Sequence, residues 1–321
     1  MKKKVLYALT CALTLTGCIG ESFHENGSTP VEKQSPIQFC VQMEKETLSF
    51  PMTKSMPENT IGEPTSATGD IYKDAELTDL CSTLEYVVFK EEENNPVLIK
   101  HRQYIYDSST LDVDFGIVYD TLPEGDYIFY FLAHNSQTAS LTGTTFSFDS
   151  ISDSFYQALP LQIAIAETIN EDVTLQRIVS RIEFMATDPV TTEIKQFDME
   201  IEGRFNQLDL TTGYGIQSSE TETISHLFKE EEVGKSNYIH SFYTFIPVSE
   251  DPIATRLSAY DQHDELIRTR MIDAIHPQMN KIIRYKGRLY SRSESDNTFQ
   301  ISIYNNGEWE ETTEVTLPEY E

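Results

Sequence analysis

Short apolar and aromatic runs recur along the chain, separated by clusters of Gly, Pro, Asn, Asp and Ser. Residues 84–89 (Leu-Glu-Tyr-Val-Val-Phe) predict a strand that ends in the acidic turn 91–96. Residues 127–133 are apolar throughout, which predicts a central strand buried on both faces. Before it, Leu122, Pro123, Glu124, Gly125 and Asp126 place Pro and Gly where a turn needs fixed backbone angles. Residues 37–41 and 47–50 predict first strands, and 97–100, 103–106 and 115–119 continue the pattern. Between them, 52–74 is rich in Pro, Gly, Ser and Thr without periodicity and reads as a long loop.

The second half repeats the style. Residues 161–166 form an apolar run, and 175–184 fit two periods. Ile178, Ile182 and Met185 would share a helix face, whereas Ile178, Ser180, Ile182 and Phe184 would share a strand face. The β-branched content and the stop at Asp188 and Pro189 favour the strand. Further strands are predicted at 198–202, 213–216, 238–248, 256–260, 266–272, 281–289 and 299–304. Strands at intervals of roughly 8–20 residues, with few helical windows, predict an all-β chain of β-sandwiches. The short polar interval 167–172 divides it into 37–168 and 169–321. No short-period repeat is present, which argues against a solenoid or propeller.

The first residues read as an address. Lys2, Lys3 and Lys4 precede an apolar stretch, 5–16, that is shorter than the ~20 residues a membrane-spanning helix needs. Such a stretch is a secretory signal. Leu15, Thr16, Gly17 and Cys18 close it as a bacterial lipobox, so 1–17 is the predicted lipoprotein signal peptide and Cys18 the predicted lipidation site. Several acyl chains on one cysteine anchor stably, at ~0.8 kcal/mol per buried CH₂. Residues 18–36, with Gly20, Gly27, Pro30 and Pro36, read as a flexible tether. Glu21 is the only acid in the first few residues after Cys18, so no acidic sorting run selects a face of the outer membrane.

Composition sharpens this picture by exclusion. The 321 residues hold 24 Lys+Arg against 52 Asp+Glu, a formal net charge of −28; cleavage before Cys18 removes three lysines and takes it to −31. No basic stripe is available to replace phosphate counterions, so a nucleic-acid partner is not expected. Hydrophobic residues make up 39%, too many for a disordered chain.

Candidate chemistry is sparse. With Cys11 lost and Cys18 acylated, Cys40 and Cys81 remain in an oxidising compartment. One disulfide, a candidate worth ~3–4 kcal/mol if unstrained, and two free thiols fit the sequence nearly equally. The seven histidines are scattered, and none is four residues from another. No HExxH, P-loop, GxGxxG or G-x-S-x-G motif occurs, so no catalytic residue, metal site or cofactor site is predicted. Asp112 with Asp114, and 261–265, bring acids together, but solvated turns explain them better in so acidic a chain. Arg177 and Arg181 could grip an anion, though pairing with acids is the better account, and Trp309 reads as a packing anchor.

The order of these pieces resembles the fimbrillin and fimbrial anchor-protein family of type V fimbriae. The resemblance is carried by the lipobox Cys18, the strand 84–89, and Leu122-Pro123-Glu124-Gly125-Asp126-Tyr127 running into Ala133, His134 and Asn135. It continues through 175–184, through Asn280 and Lys281 to Gly287-Arg288-Leu289-Tyr290, and through 299–304 followed by Trp309. It implies two transthyretin-like β-sandwiches in tandem. It also implies a non-enzymatic, cell-surface subunit whose partners are other fimbrial subunits, joined by strand exchange, and the outer membrane, through acylated Cys18. In that family, shaft subunits lose an N-terminal strand to a trypsin-like protease and a neighbour's strand fills the groove, which is β-augmentation. Anchor members keep the lipid. Here no arginine occurs between Cys18 and Arg102, which favours lipid retention, although Lys33, Lys45, Lys54 and Lys73 leave a lysine cleavage open. A processed shaft or tip subunit, and a surface lipoprotein that binds a glycan or host protein without polymerising, stand as alternatives.

Overall fold

The computed structural model describes residues 33–45, 47–50, 76–92, 96–107, 109, 114–136, 138–291 and 298–305, with the backbone of 308–309 and 313–316. Its strands, in chain order, are β1 (Gln34–Met43), β2 (Thr83–Lys90), β3 (Val97–Ile105), β4 (Ile117–Pro123), β5 (Gly125–His134), β6 (Ala139–Thr142) and β7 (Thr145–Phe148). There follow β8 (Phe155–Ile163), β9 (Ile169–Arg177), β10 (Val179–Ala186), β11 (Ile194–Glu202), β12 (Phe205–Asp209), β13 (Tyr214–Gln217) and β14 (Glu222–Leu227). The last are β15 (Ile239–Phe245), β16 (Ile253–Asp261), β17 (Leu266–Ile275), β18 (Ile282–Gly287), β19 (Thr298–Asn305), β20 (Glu308–Trp309) and β21 (Thr313–Thr316). Among the described residues one short α-helix, α1 (Leu77–Leu80), turns Leu77 and Leu80 into the core, and a single 3-10 turn spans Glu230–Glu232.

The pairings form two sandwiches built on one plan. In the first, β9-β1-β4 and β3-β2-β5-β8 enclose one core and join where β8 pairs with β9 at Phe155–Arg177 and Tyr156–Gln176; β1 runs parallel to β9 and antiparallel to β4. In the second, β18-β10-β15 faces β14-β11-β16-β17, and β10 runs parallel to β18 and antiparallel to β15. These seven strands repeat the order of the first, and β19, paired with β18 and carrying β20 and β21, extends the second. The all-β expectation is met, and the run 175–184 is strand rather than helix, with Ile178, Ser180, Ile182 and Phe184 all buried.

Three details differ from the sequence reading. Ile169–Arg177, placed there in the second set, pairs with β1 in the first sheet, and the chain changes sandwich between Arg177 and Val179. Residues 47–50 form no strand. The hairpins β6–β7 and β12–β13, inserted at different points of the two sandwiches, pair with each other into a bridging sheet, β13-β12-β7-β6.

That bridging sheet explains why β2 and β5 are so apolar. On one face, Tyr86, Val88, Phe129 and Phe131 join Phe39 and Val118 in the first core. On the other, Val87, Phe89, Tyr130 and Leu132 join Phe146, Phe205, Leu208 and Phe245 in a core continuous with the second sandwich. A strand covered on both faces has no position left for the polar half of an alternating pattern.

Candidate assembly site

The first strand alternates by design. In β1, Ile37, Phe39, Val41 and Met43 point inward and are buried, while Cys40 and Gln42 face out. Phe39 is fully covered, its ring centroid 5.0 Å from that of Phe129, 5.1 Å from Phe131 and 6.0 Å from Tyr86. The backbone of β1 is paired with β4 over 34–40 and with β9 over 37–43, so Ile37 to Cys40 have a strand on both sides. Pro36, which offers no N–H, falls just before the stretch that β9 covers. The Ser35 hydroxyl donates to the Ala164 carbonyl at 2.7 Å, and the Glu44 N–H to the Leu175 carbonyl at 3.0 Å.

Gly116 sets the closeness of β4 to β1. Its φ is +98°, and its carbonyl accepts from the Val41 N–H at 2.8 Å. A Cβ there would lie 2.9 Å from the Val41 carbonyl oxygen and 3.2 Å from Leu77. Gly116→Ala is therefore expected to destabilise the protein by about 1–3 kcal/mol through backbone strain alone. A urea midpoint unchanged from wild type would refute this.

Beyond β1, residues 47–50 run to the seam between the sandwiches, where Arg177 is buried. Its Nε and one terminal nitrogen donate to the two Asp153 carboxylate oxygens at 2.7 and 2.9 Å. The same terminal nitrogen donates to the Leu48 carbonyl at 2.9 Å, and the other donates to Asn280 Oδ1 at 2.7 Å. The guanidinium lies 4.0 Å from the Phe50 ring centroid and 4.8 Å from that of Phe155. Phe50 in turn stacks on Tyr243 of β15, centroid to centroid 6.4 Å.

Two other buried polar clusters are present, the first packed on Phe146 and Phe148 of the bridging sheet. Glu85 on β2 accepts from His101 Nε2 at 2.7 Å and from Gln103 at 2.6 Å, with His134 Nε2 at 3.5 Å. Burial would raise its carboxyl, but these three contacts outweigh it and hold the group below its ordinary value. In the second sandwich, His240 stacks on Phe197 at 4.0 Å, and its Nε2 lies 2.7 Å from the Tyr290 hydroxyl. Burial, with His226 nearby, pushes its imidazole down to about 3. Tyr238 donates to Glu232 at 2.7 Å beside His226, so the polar tips of this cluster satisfy one another.

The remaining candidates sort plainly. Cys40 and Cys81 are free thiols, not a bridge: Cys40 faces outward on β1, while Cys81 lies in the core, where burial and then Asp153 push its thiol well up. Cys18 lies outside the described residues. Arg181 pairs with Glu183, which also accepts from Arg284 at 2.7 Å. Asp261 spends its carboxylate on the N–H groups of His263 and Glu265 and so shapes a turn. Asp112 and the side chain of Trp309 lie outside the described residues, though Trp309 pairs by its backbone with Tyr304. Among the described residues, no three His, Cys, Asp or Glu side chains are placed to hold a metal ion, and no helix is long and apolar enough to cross a membrane. The sequence reading saw Arg177, but not its partners Leu48, Asp153 and Asn280, which no spacing links.

Comparison with known proteins adds the following. The chain is similar to a DUF1812 protein of Bacteroides thetaiotaomicron at 14% identity, over 86% of this chain and 97% of that one, with a TM-score of 0.48. It is similar to the fimbrial anchor protein Mfa2 of Porphyromonas gingivalis at 10% identity, over 87% and 100% of the two chains, with a TM-score of 0.44. It is also similar to the tip fimbrial protein Mfa3 of the same organism at 10% identity, over 84% and 99%, with a TM-score of 0.40. Fimbrial anchor and tip proteins, the kind the sequence resembles, are thus among the structures similar to it. No curated protein matches the chain. A family model described as a family of unknown function, DUF6562, matches residues 124–318, more than half of the sequence, and the chain belongs to that family.

Proposed function

We propose that the protein is a non-enzymatic, lipid-anchored subunit of cell-surface fimbriae, held in the outer membrane through acylated Cys18 and joined to other subunits by strand complementation. The observation that carries this reading is the seat of β1. An N-terminal strand that begins sixteen residues after a lipobox cysteine lies between two other strands, with alternate side chains in a closed apolar slot. Such a slot is what strand complementation uses: main-chain hydrogen bonds for affinity, alternate pockets for specificity. Sixteen residues reach at most ~55 Å when extended, so the lipid would keep the first sandwich near the membrane. The absence of arginine between Cys18 and Arg102 supports a subunit that keeps both lipid and first strand, an anchor rather than a processed shaft. On this reading the tether is 18–33, shorter than the 18–36 read from the sequence because β1 begins at Gln34, and the two sandwiches are tandem domains of one subunit.

The test is intact mass and N-terminal analysis of the protein from purified outer membranes and from sheared surface fibres. Acylated protein in the membrane and at fibre bases is expected. Protein in sheared fibres, trimmed beyond β1 and without lipid, would make it a shaft or tip subunit. Acylated protein with no fibre association would favour a surface lipoprotein that binds a glycan or host protein.

A further inference from the structure

We propose that Arg177 makes release of β1 and separation of the two sandwiches a single event. Arg177 is the last residue of the strand that lies beside β1, one residue before the chain crosses into the second sandwich. Four of the five N–H groups of a guanidinium are used here, and their acceptors come from three places. Leu48 belongs to the segment that leaves β1, Asp153 to the loop before β8, and Asn280 to the loop that enters β18 of the second sandwich. Phe50, five residues from Lys45 along that same exit segment, packs against both the Arg177 guanidinium and Tyr243 of the second sandwich.

The coupling follows from burial. If the second sandwich moves away, Asn280 and Tyr243 leave together, one Arg177 nitrogen loses its acceptor, and Phe50 loses one of its two covers. A buried charge that loses a partner is strongly disfavoured unless water reaches it, and Phe50 and the Leu48 carbonyl are among the groups that cover it. The exit of β1 therefore loosens. The reverse holds by linkage: withdrawing Leu48 and Phe50 uncovers the guanidinium from the other side and weakens its hold on Asn280 by the same factor. The structural consequence is that a pull on the segment before β1 is resisted by both sandwiches, although β1 touches only one. This inference concerns the folded chain itself and stands or falls apart from any role in fibres.

Native-state hydrogen exchange on the full mature chain tests it. Asn280 sits at φ +58°, a conformation that glycine adopts without strain, so Asn280→Gly removes the acceptor and leaves the backbone at ease. It is expected to speed exchange of the β1 amides of Ile37 to Met43 by about tenfold, the weight of one hydrogen bond to a charged group. Phe50→Ala is expected to speed exchange of the β10 amides of Val179 to Ile182 by a similar factor. Ile272→Val, in the second core and away from Arg177, serves as a control for general destabilisation and should leave β1 unchanged. A rise in β1 exchange below threefold in Asn280→Gly would overturn the proposal, as would an equal rise in Ile272→Val.

Discussion

A mature chain cut back to begin at Thr47 will fail to fold its first sandwich, and a synthetic peptide of Gln34–Met43 added in trans will restore it. The truncation removes four buried side chains, Ile37, Phe39, Val41 and Met43. At ~1.5–3 kcal/mol each, their loss amounts to about 6–12 kcal/mol, comparable with the whole stability of a typical domain. It also strips β4 of its partner along one edge and β9 of its partner along the other, leaving backbone N–H and C=O groups facing an empty apolar slot. The peptide supplies both kinds of interaction at once, so rescue should be specific to its alternation. A peptide carrying Phe39→Ala, which loses ring contacts to Tyr86, Phe129 and Phe131, should bind about 3–5 kcal/mol more weakly. The measurement is hydrogen-exchange protection of β4 and β9 with and without peptide. Native protection of both strands in the truncated chain alone would show that β1 is an ornament on the sheet rather than a part of it.

What the sequence revealed and what it concealed both follow from burial. The strands β2 and β5 were legible because they are covered on two faces, which writes an unbroken apolar run into 84–89 and 127–133. Among the strands that went unseen, β6, β7, β12 and β14 are four to six residues long, and β14 alternates between partly and fully exposed positions, while β8 was caught only at its end, 161–163. So short a segment with a wet face resembles a loop. The position of the crossing was hidden for the opposite reason. The interval 167–172 looked like a boundary because it is polar, yet it is the turn into β9 and the start of that strand. The crossing at Ile178 lies inside one continuous strand-like stretch, because β10 follows β9 after a single residue and Leu175, Arg177, Ile178 and Val179 are all buried at a packed seam.

The seam also shows why the candidate site could not be read from motifs. Arg177 was visible as a cation beside an apolar run, and pairing with acid was the better account of it; Asp153 is that acid. Its other ligands are a backbone carbonyl 129 residues earlier and an amide 103 residues later, and only the fold brings them together. The same holds for Gly116, whose positive φ matters only because β1 returns to lie against it.

Acid will weaken the second sandwich from about pH 6.5 downward, ahead of most carboxylates, and His240 will be the cause. In the folded protein its imidazole is buried on Phe197 and beside the Tyr290 hydroxyl, and its pKa is pushed down to about 3 by that burial and by His226. In the unfolded chain it titrates near 6.5. Between these values the unfolded state binds a proton that the folded state refuses, so stability rises with pH across that window and is lost as pH falls through it. From pH 6.5 to pH 4.5 the loss from this one group is about 2–3 kcal/mol, with more to follow toward pH 3. Glu85 and Glu232, both held below their ordinary range, add their own losses from about pH 5 downward, where the unfolded chain takes up protons that these carboxylates refuse in the folded state. Above about pH 5 the histidine therefore dominates, and below it the comparison with His240→Phe separates its share. His240→Phe keeps an aromatic ring against Phe197 and abolishes the titration; it will be less stable at pH 7, because the Tyr290 hydroxyl loses its partner, but its stability will change less with pH. Urea midpoints of the two chains between pH 7 and 4.5 decide the matter. Parallel pH dependences would mean that His240 takes up its proton in the folded state, and that the packing around it opens more readily than its burial implies.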